Sequence, residues 1–162
     1  MSKVEIEIEN YGKIVVKLDE KKAPITVANF KKLVSENFYD GLTFHRIISG
    51  FMIQGGDPNG DGTGGSEECI KGEFLINGVK NDISHKRGVI SMARAQDPNS
   101  ASSQFFIMHK DGPFLDGSYA AFGHVTEGIE IVDKICDNTE VEDGDGTVLY
   151  ENQPVIKSIR LI

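Results

Sequence analysis

A single arginine in a run of apolar residues is the feature of this sequence best suited to chemistry. Residues 44–56 have the pattern of two short strands that bend at Ser49 and Gly50, and Arg46 lies in the first of them. A guanidinium is rarely buried without a partner. Arg46 therefore pairs with a carboxylate, lines a cleft, or reaches solvent from a core strand along its own apolar stem. This stretch alone leaves the three alternatives open.

Side chains that could carry covalent or metal chemistry form no recognisable group. The four histidines include no pair spaced i, i+4, whereas a zinc site needs converging ligands. The serines have no nucleophile-elbow context, and the carboxylates fall in loops or on outer strand faces. The sequence thus predicts no metal site and no nucleophile. What remains is an apolar group with polar tips, which could be core or could line a ligand groove: Phe51, Met52, Phe106, Phe114, Leu115, Arg46 and Gln54.

The glycine-rich loop contains one formal motif. Residues 57–68 match the pattern D-x-[DN]-x-[DN]-G-x5-E of a calcium-binding helix-loop-helix. The context does not fit, because a strand precedes the loop, no helix follows it, and Gly64 stands where an apolar anchor is expected. The loop also lacks the Gly-Lys-Ser/Thr ending of a phosphate-binding loop. We interpret it as an ordinary glycine loop, with calcium binding as a minor alternative.

Composition narrows the possible partners. The chain has 162 residues, 39% apolar and 26% charged, and a formal net charge of -8. This length suits one domain spanning 1–162 with its own core. The acidic balance argues against nucleic acid and anionic membrane. No apolar run has the length of a signal peptide core or a spanning helix, and the two cysteines lack metal-ligand spacing. We expect a cytoplasmic monomer with reduced thiols, with a structural disulfide between Cys69 and Cys136 as the less favoured alternative.

The elements that must position Arg46 are mostly strands. Alternating apolar residues predict strands at 3–9 and 13–18 and on both sides of the bend in 44–56, and apolar runs predict strands at 88–93, 104–109, 120–125 and 155–162. Pro24 followed by apolar residues at helical spacing predicts a helix over 24–36, and a second helix covers 128–136. A mainly-β domain follows. Closing its sheet into a barrel would remove the exposed edges.

Six motifs follow one another along most of the chain: FHRIISGFMIQGGD at 44–57, GTGG at 62–65, GVISMA at 88–93, SQFFI at 103–107, FLDG at 114–117 and FG at 122–123. Together they resemble the signature of the cyclophilin family of peptidyl-prolyl cis-trans isomerases. Residues 91–101 are similar to the compact single-domain form common in prokaryotes. The resemblance implies a closed eight-stranded antiparallel β-barrel capped by two α-helices.

The resemblance also implies an isomerase that acts on Xaa-Pro bonds in peptides and in unfolded or flexible protein segments, assisting folding without a cofactor. The barrier comes from lost amide resonance, roughly 18–20 kcal/mol. No covalent bond is made or broken, which fits the absence of a predicted nucleophile. In the twisted transition state the prolyl nitrogen regains its lone pair. A fixed donor therefore interacts more strongly with that state than with the planar one.

Transferred residue by residue, the resemblance makes Arg46 the catalytic donor. Gln54 would bind the substrate backbone and help to position Arg46. The pocket for the proline ring would contain Phe51, Met52, Phe106 and Leu115, and the rest of the substrate groove Ala93, Arg94, Gln104, Phe114 and Tyr119.

Three positions depart from many relatives. Arg94 replaces Asn, where the family contact runs through the backbone, and its side chain is expected to add a preference for acidic residues beside proline. Phe114 replaces a Trp whose indole N–H donates to cyclosporin, so weakened cyclosporin binding is expected. Tyr119 replaces His, and a Tyr ring can still stack and hydrogen-bond.

A second hypothesis uses the same groove. The protein could be a proline-peptide-binding module or a holdase chaperone whose turnover is incidental. The two hypotheses differ in whether client capture survives the loss of Arg46. The client proteins and the residue preferred before proline do not follow from the sequence.

Overall fold

An eight-stranded antiparallel sheet and two helices form the framework of the fold, and a computed structural model describes residues 1–162. Every predicted strand and helix is present, with ends shifted by one or two residues. The strands are β1 Lys3–Ile8, β2 Gly12–Leu18, β3 Phe44–Ile48, β4 Met52–Gly55, β5 Val89–Met92, β6 Phe105–Met108, β7 Ala121–Glu127 and β8 Ile156–Leu161. The helices are α1 Pro24–Ser35 and α2 Ile129–Asn138, and short 3-10 turns occupy Leu75–Asn77, Pro113–Leu115 and Tyr150–Asn152.

The sheet curls into a half-barrel that stays open, so the prediction of a closed barrel is wrong. Its strand order is β3-β4-β6-β5-β7-β2-β1-β8. The two end strands, β3 and β8, share no ladder, and only Thr43 and Val155, just before them, form an isolated bridge. Helix α1 contacts β8 and helix α2 contacts β2. None of the helices combines the length and the apolar character needed to cross a bilayer.

The outer edge of β3 is paired with a different part of the chain, residues 146–148. The Ile47 N–H donates to the Gly146 carbonyl at 2.9 Å, and the Val148 N–H donates to the His45 carbonyl at 3.1 Å. These bonds occupy the backbone groups that a closing strand would need. The loop after α2 therefore keeps β8 away from most of β3.

Two apolar clusters lie on opposite faces of β4, β5 and β6. The main core is a cluster of 30 buried residues that includes the inner faces of both helices. Ile53, Ile90 and Phe105 point into it. Because side chains alternate along a strand, their neighbours point the other way. The side chains on this other face, together with Leu115 and Ala121 from outside the three strands, form a second cluster of six buried residues. It is here called the minor cluster and consists of Met52, Val89, Phe106, Met108, Leu115 and Ala121.

A buried carboxylate joins the irregular segment after the glycine loop to helix α1. The helix begins at Pro24 with no side-chain cap of its own. Instead Glu73 accepts hydrogen bonds from the Thr26 backbone N–H at 2.6 Å and from its hydroxyl at 2.7 Å. A carboxylate at this point satisfies a free N–H of the first turn and interacts favourably with the helix dipole. These bonds attach the start of residues 71–87, a segment with little periodicity in sequence, to helix α1.

Candidate active site

An apolar cavity with polar tips opens over the minor cluster. Its volume is about 130 Å³. Met52, Phe106 and Leu115, each less than a tenth exposed, contribute its buried surface. All nine residues that line it were predicted site residues: Arg46, Phe51, Met52, Gln54, Ala93, Arg94, Phe106, Leu115 and Tyr119.

Strand register brings the polar and apolar sides of the cavity together. Arg46 of β3 is paired with Gln54 of β4, and Gln54 is paired with Phe106 of β6. Phe106 in turn is paired with Ser91 of β5. Directly paired residues project from the same face of a sheet. Four strands thus place a guanidinium, an amide, an aromatic ring and a hydroxyl in one row.

Arg46 lines the cleft and has no carboxylate partner, which decides between the alternatives left open by the sequence. Its Nε donates to the Asp145 carbonyl at 2.9 Å, and its Nη1 donates to Gln54 Oε1 at 3.2 Å. A guanidinium has five N–H groups. These two bonds fix its plane, and the other three N–H groups have no acceptor within the chain.

In the hydrogen bonds that begin at Arg46, each side chain donates to the next. Because arginine can only donate, Gln54 must present its oxygen to Arg46 and its NH2 to the next residue. That NH2 donates to Gln104 Oε1 at 3.0 Å. The NH2 of Gln104 then donates to the Gly62 and Gly64 carbonyls, at 3.1 and 2.8 Å. The orientation of the guanidinium is thereby tied to the glycine-rich loop.

Asp57 holds that loop from the inside. Its buried carboxylate accepts the backbone N–H groups of Asn59 at 2.8 Å, Asp61 at 3.2 Å and Gly62 at 2.6 Å. A Cβ at Gly64 would collide with the same carboxylate. The calcium-like pattern at 57–68 thus belongs to a loop that folds onto its own first carboxylate. No three His, Cys, Asp or Glu side chains are grouped to hold a metal ion.

A hydrogen-bonded polar group, buried except at its carboxylate, supports Phe106 from behind, and the sequence analysis missed it. The Phe106 ring stacks on His85, with centroids 6.0 Å apart and planes at 18°. His85 Nδ1 lies 2.9 Å from Asp116 Oδ1, and Nε2 lies 2.8 Å from Ser91 Oγ. The available signal was Ser91, a polar residue in an otherwise apolar strand.

This group has the connectivity of a Ser-His-Asp triad, but its hydroxyl is not accessible to a substrate. Ser91 and His85 are 0% and 1% exposed, so no substrate can reach the hydroxyl. Burial lowers the pKa of His85, although Asp116 opposes the effect. The neutral ring therefore donates from Nδ1 to Asp116 and accepts the Ser91 hydroxyl proton at Nε2. The group immobilises the ring that forms part of the cavity wall.

His45 lies beneath the other side of the site. It is 7% exposed, and its Nδ1 has no hydrogen-bond partner. Burial lowers its pKa, with a smaller effect in the same direction from Arg46 and an opposing one from Asp57. A neutral imidazole therefore packs under the glycine-rich loop.

Two predicted residues lie beside the cavity rather than in it. Gln104 lines a second, more polar cavity of about 240 Å³ that shares three lining residues with the first. Phe114 is 71% exposed, and its ring lies against Phe51 with centroids 5.4 Å apart. Phe114 therefore extends the apolar surface outward, where only a large ligand would meet it.

Comparisons with known proteins agree on one family. The family described as "Cyclophilin type peptidyl-prolyl cis-trans isomerase/CLD" matches residues 3–161. The chain is 49% identical over 123 residues to peptidyl-prolyl cis-trans isomerase B of Bacillus subtilis, covering 76% of this chain and 82% of that protein. It is 47% identical over 135 residues to a peptidyl-prolyl cis-trans isomerase of Helicobacter pylori, covering 82% and 80%.

A solved structure is similar over almost the whole fold. It is a cyclophilin-type isomerase of Cryptosporidium parvum, crystallised in the presence of the dipeptide Ala-Pro. The TM-score is 0.86 at 32% sequence identity, covering 99% of this chain and 98% of the other. The eight strands and two helices described above are thus those of a known fold.

Proposed function

The chain belongs to the cyclophilin family of peptidyl-prolyl cis-trans isomerases, and on that premise we propose that Arg46 is its catalytic donor. Proline would bind with its ring over Phe106 and its nitrogen towards Arg46. The observation that carries this proposal is the guanidinium held at the mouth of an apolar cavity by two hydrogen bonds, with three N–H groups free.

The proposed mechanism uses the difference between a planar and a twisted amide. In the planar state the nitrogen lone pair is delocalised and accepts poorly. Twisting localises the lone pair, and a donor already aimed at it stabilises that state selectively. The apolar wall strengthens the interaction because it excludes water from one side. Arg46 needs no reorganisation, since Gln54 and the Asp145 carbonyl already hold it.

The substrate backbone would be bound on both sides of the rotating bond. Gln54 is adjacent to Arg46 and accessible from the cavity. On the other side, the backbone N–H and C=O of Arg94 have no partner within the chain, which leaves one donor and one acceptor for an extended peptide. Ala93 and Gln104 are hydrogen-bonded to each other through the backbone and keep this part of the groove in place.

We further propose that the substrates are proline-containing peptides and exposed segments of unfolded proteins. The Cryptosporidium parvum relative, crystallised with Ala-Pro, supports the first part. Cytoplasmic location is proposed from the cysteines, since both Cys69 and Cys136 are free and structural disulfides are typical of oxidising compartments. A monomer is proposed, with sedimentation as its test. Cyclosporin is proposed to bind weakly, because Phe114 cannot donate a hydrogen bond.

Peptide exchange measured by NMR tests the role of Arg46. Arg46→Ala should slow cis/trans exchange of an Xaa-Pro peptide by about 100- to 1,000-fold, the usual cost of removing one transition-state donor. Arg160→Ala is the matched control, because that guanidinium binds Asp40 outside both cavities. Equal exchange rates in wild type and Arg46→Ala would contradict the proposal. A collapse in thermal stability of Arg46→Ala would instead favour a structural role.

A holdase remains a second candidate because of exposed apolar residues. Leu75 and Ile76, adjacent in a 3-10 turn, are 66% and 74% exposed, and Phe114 is similarly exposed. Such residues could bind unfolded chains without catalysis. In that case Arg46→Ala would still suppress aggregation of a refolding client as well as wild type does. Joint loss of client refolding and peptide exchange would favour the isomerase.

A further inference from the structure

Arg94 lies where the two cavities meet, shortly after β5. Its side chain is half-buried and lines both the apolar cavity and the polar one. The mechanism proposed above uses only its backbone. The guanidinium therefore carries a charge into the substrate groove without an assigned role.

Backbone carbonyls occupy four of the five N–H groups of Arg94. Nε and Nη2 both donate to the Ser118 carbonyl, at 3.0 and 2.7 Å. Nη1 donates to the Ala95 carbonyl at 2.9 Å and to the Gln96 carbonyl at 3.1 Å. The one remaining N–H cannot form the two parallel bonds with which arginine binds a carboxylate. The side chain is therefore poorly placed to select acidic residues beside proline.

The same guanidinium packs on two aromatic rings. Its central carbon is 4.8 Å from the ring centroid of Phe74 and 4.8 Å from that of Tyr119, both within the range of a cation–π interaction. Phe74 is 1% exposed and fixed in the core. Tyr119 is half-buried, and its ring meets Phe106 edge-on, with centroids 5.9 Å apart and planes at 83°.

We propose that Arg94 is a positioning residue that fixes Tyr119 as a wall of the proline pocket. Its hydrogen bonds hold the Ser118 carbonyl, and its charge holds the ring of the next residue. Phe74, buried in the main core, provides a second and immobile ring on which the guanidinium packs. Without this clamp, the ring of Tyr119 would have to be ordered when a ligand binds, which lowers affinity. The proposal rests on the proposed function, since it assumes that proline binds against Phe106.

The clamp predicts a loss of affinity without a loss of rate at saturation. The Arg94 side chain does not reach the twisting bond in the proposed mode of binding. Arg94→Ala should therefore raise the Kd for an Xaa-Pro peptide, measured by NMR titration, about five- to tenfold. Exchange at saturating peptide should stay within about twofold of wild type. Arg94→Lys keeps a cation near the two rings but loses the fork of donors, so its Kd should lie between those of wild type and Arg94→Ala.

A double-mutant cycle tests whether Arg94 changes peptide affinity through Tyr119. If Arg94 acts through Tyr119, the variant carrying Arg94→Ala and Tyr119→Ala should bind peptide no more weakly than Tyr119→Ala alone. The proposal would be overturned if the two substitutions raised the Kd independently, so that their factors multiplied in the double variant. An unchanged Kd in Arg94→Ala would overturn it as well. Arg94→Lys provides the comparison if Arg94→Ala does not fold, and Arg160→Ala is the control. Failure of wild type to bind the peptide would overturn the proposed function instead.

Discussion

Phe105 and Phe106 are neighbours in β6, yet their rings lie in different environments. Phe105 is fully buried in the main core, where it meets Phe30 and Tyr39 edge-on at 5.7 and 5.4 Å. Phe106 belongs to the minor cluster, with His85 stacked behind it and the cavity in front. The first ring is held by apolar neighbours on all sides. The second is held from behind by a hydrogen-bonded group, meets Tyr119 edge-on and borders the cavity in front.

In the proposed mode of binding, the two faces of one strand serve stability and recognition separately. The main core needs only complementary apolar packing, which tolerates repacking when volume is kept. The minor cluster has only six buried residues, and hydrogen-bonded side chains border it: His85, Ser91 and Asp116 behind it, and Arg46, Gln54 and Gln104 beside it. We therefore expect substitutions in the two regions to have different consequences.

Truncation of the two rings is the strongest test of the comparison. Phe105→Ala should lower the free energy of unfolding by about 3–5 kcal/mol, as is usual for a buried aromatic residue. Phe106→Ala should cost less stability, because its ring already borders a cavity. It should, however, lower kcat/KM for an Xaa-Pro peptide about tenfold or more through lost apolar contact. Urea unfolding and peptide exchange on the same samples measure both. Similar effects of the two variants on both quantities would contradict the comparison.

Glu73 allows a smaller test confined to the main core. Glu73→Ala leaves the buried Thr26 N–H unpaired at the start of α1 and should lower the free energy of unfolding by about 1–3 kcal/mol. Peptide exchange by the folded fraction should be unchanged. Glu67→Ala is the control, because Glu67 is exposed. A change in exchange rate at constant fold would show that the two regions are coupled.

Acidification should lower the free energy of unfolding through His45 and His85, two buried histidines beside the candidate site. Burial lowers the pKa of His45 and His85 in the folded protein below 6.5, the ordinary value. Above that value both rings are neutral whether the chain is folded or not. As the pH falls through it, the unfolded chain binds protons first, so the free energy of unfolding decreases. Carboxyl groups titrate below about pH 5, so a change in the free energy of unfolding between pH 5.5 and 7.5 is due mainly to histidines.

Urea unfolding at several pH values within that window measures this loss. His45→Gln and His85→Gln should each flatten the pH dependence, and His124→Gln, at an exposed position, is the matched control. A dependence that persists in the double His45→Gln, His85→Gln variant would show that other groups are responsible.

The smallest expected effect concerns the exposed rim. Phe114→Trp adds an N–H donor at a solvent-facing position and should tighten cyclosporin binding about three- to tenfold, the worth of one net hydrogen bond. Exchange of a short Xaa-Pro peptide should not change, because Phe114 does not line the apolar cavity. Titration calorimetry compares the two proteins. A gain in peptide exchange instead would show that the rim takes part in catalysis.

Much of the fold could be predicted from local patterns. The alternation predicted at 3–9 and 13–18 correctly assigns the buried face of β1 and the burial of Ile14, Val16 and Leu18 in β2, because the period of a strand is two; the burial of Val15 was not predicted. The cavity-lining residues were predicted through the family resemblance. Spacing alone left open whether Phe51 and Phe106 were core or groove, since aromatic residues in strands serve both.

The remaining features depend on contacts between distant parts of the chain. Arg46 is held by the carbonyl of a residue 99 positions later, Asp145, which no local pattern indicates. The closed barrel was wrong for a similar reason, since it is the loop after α2 that pairs with β3. The support behind Phe106 combines His85, Ser91 and Asp116, each unremarkable in its own segment.

The pairing of residues 146–148 with β3 also bears on how molecules of this protein meet each other. An open sheet exposes unpaired backbone that can recruit a strand from another chain and seed aggregates. Here the chain covers most of the β3 edge itself, through the bonds of Ile47 and Val148. At the opposite end β8 carries the charged Lys157 and Arg160, which discourage such pairing. The half-barrel therefore remains open without offering a ready template for intermolecular assembly.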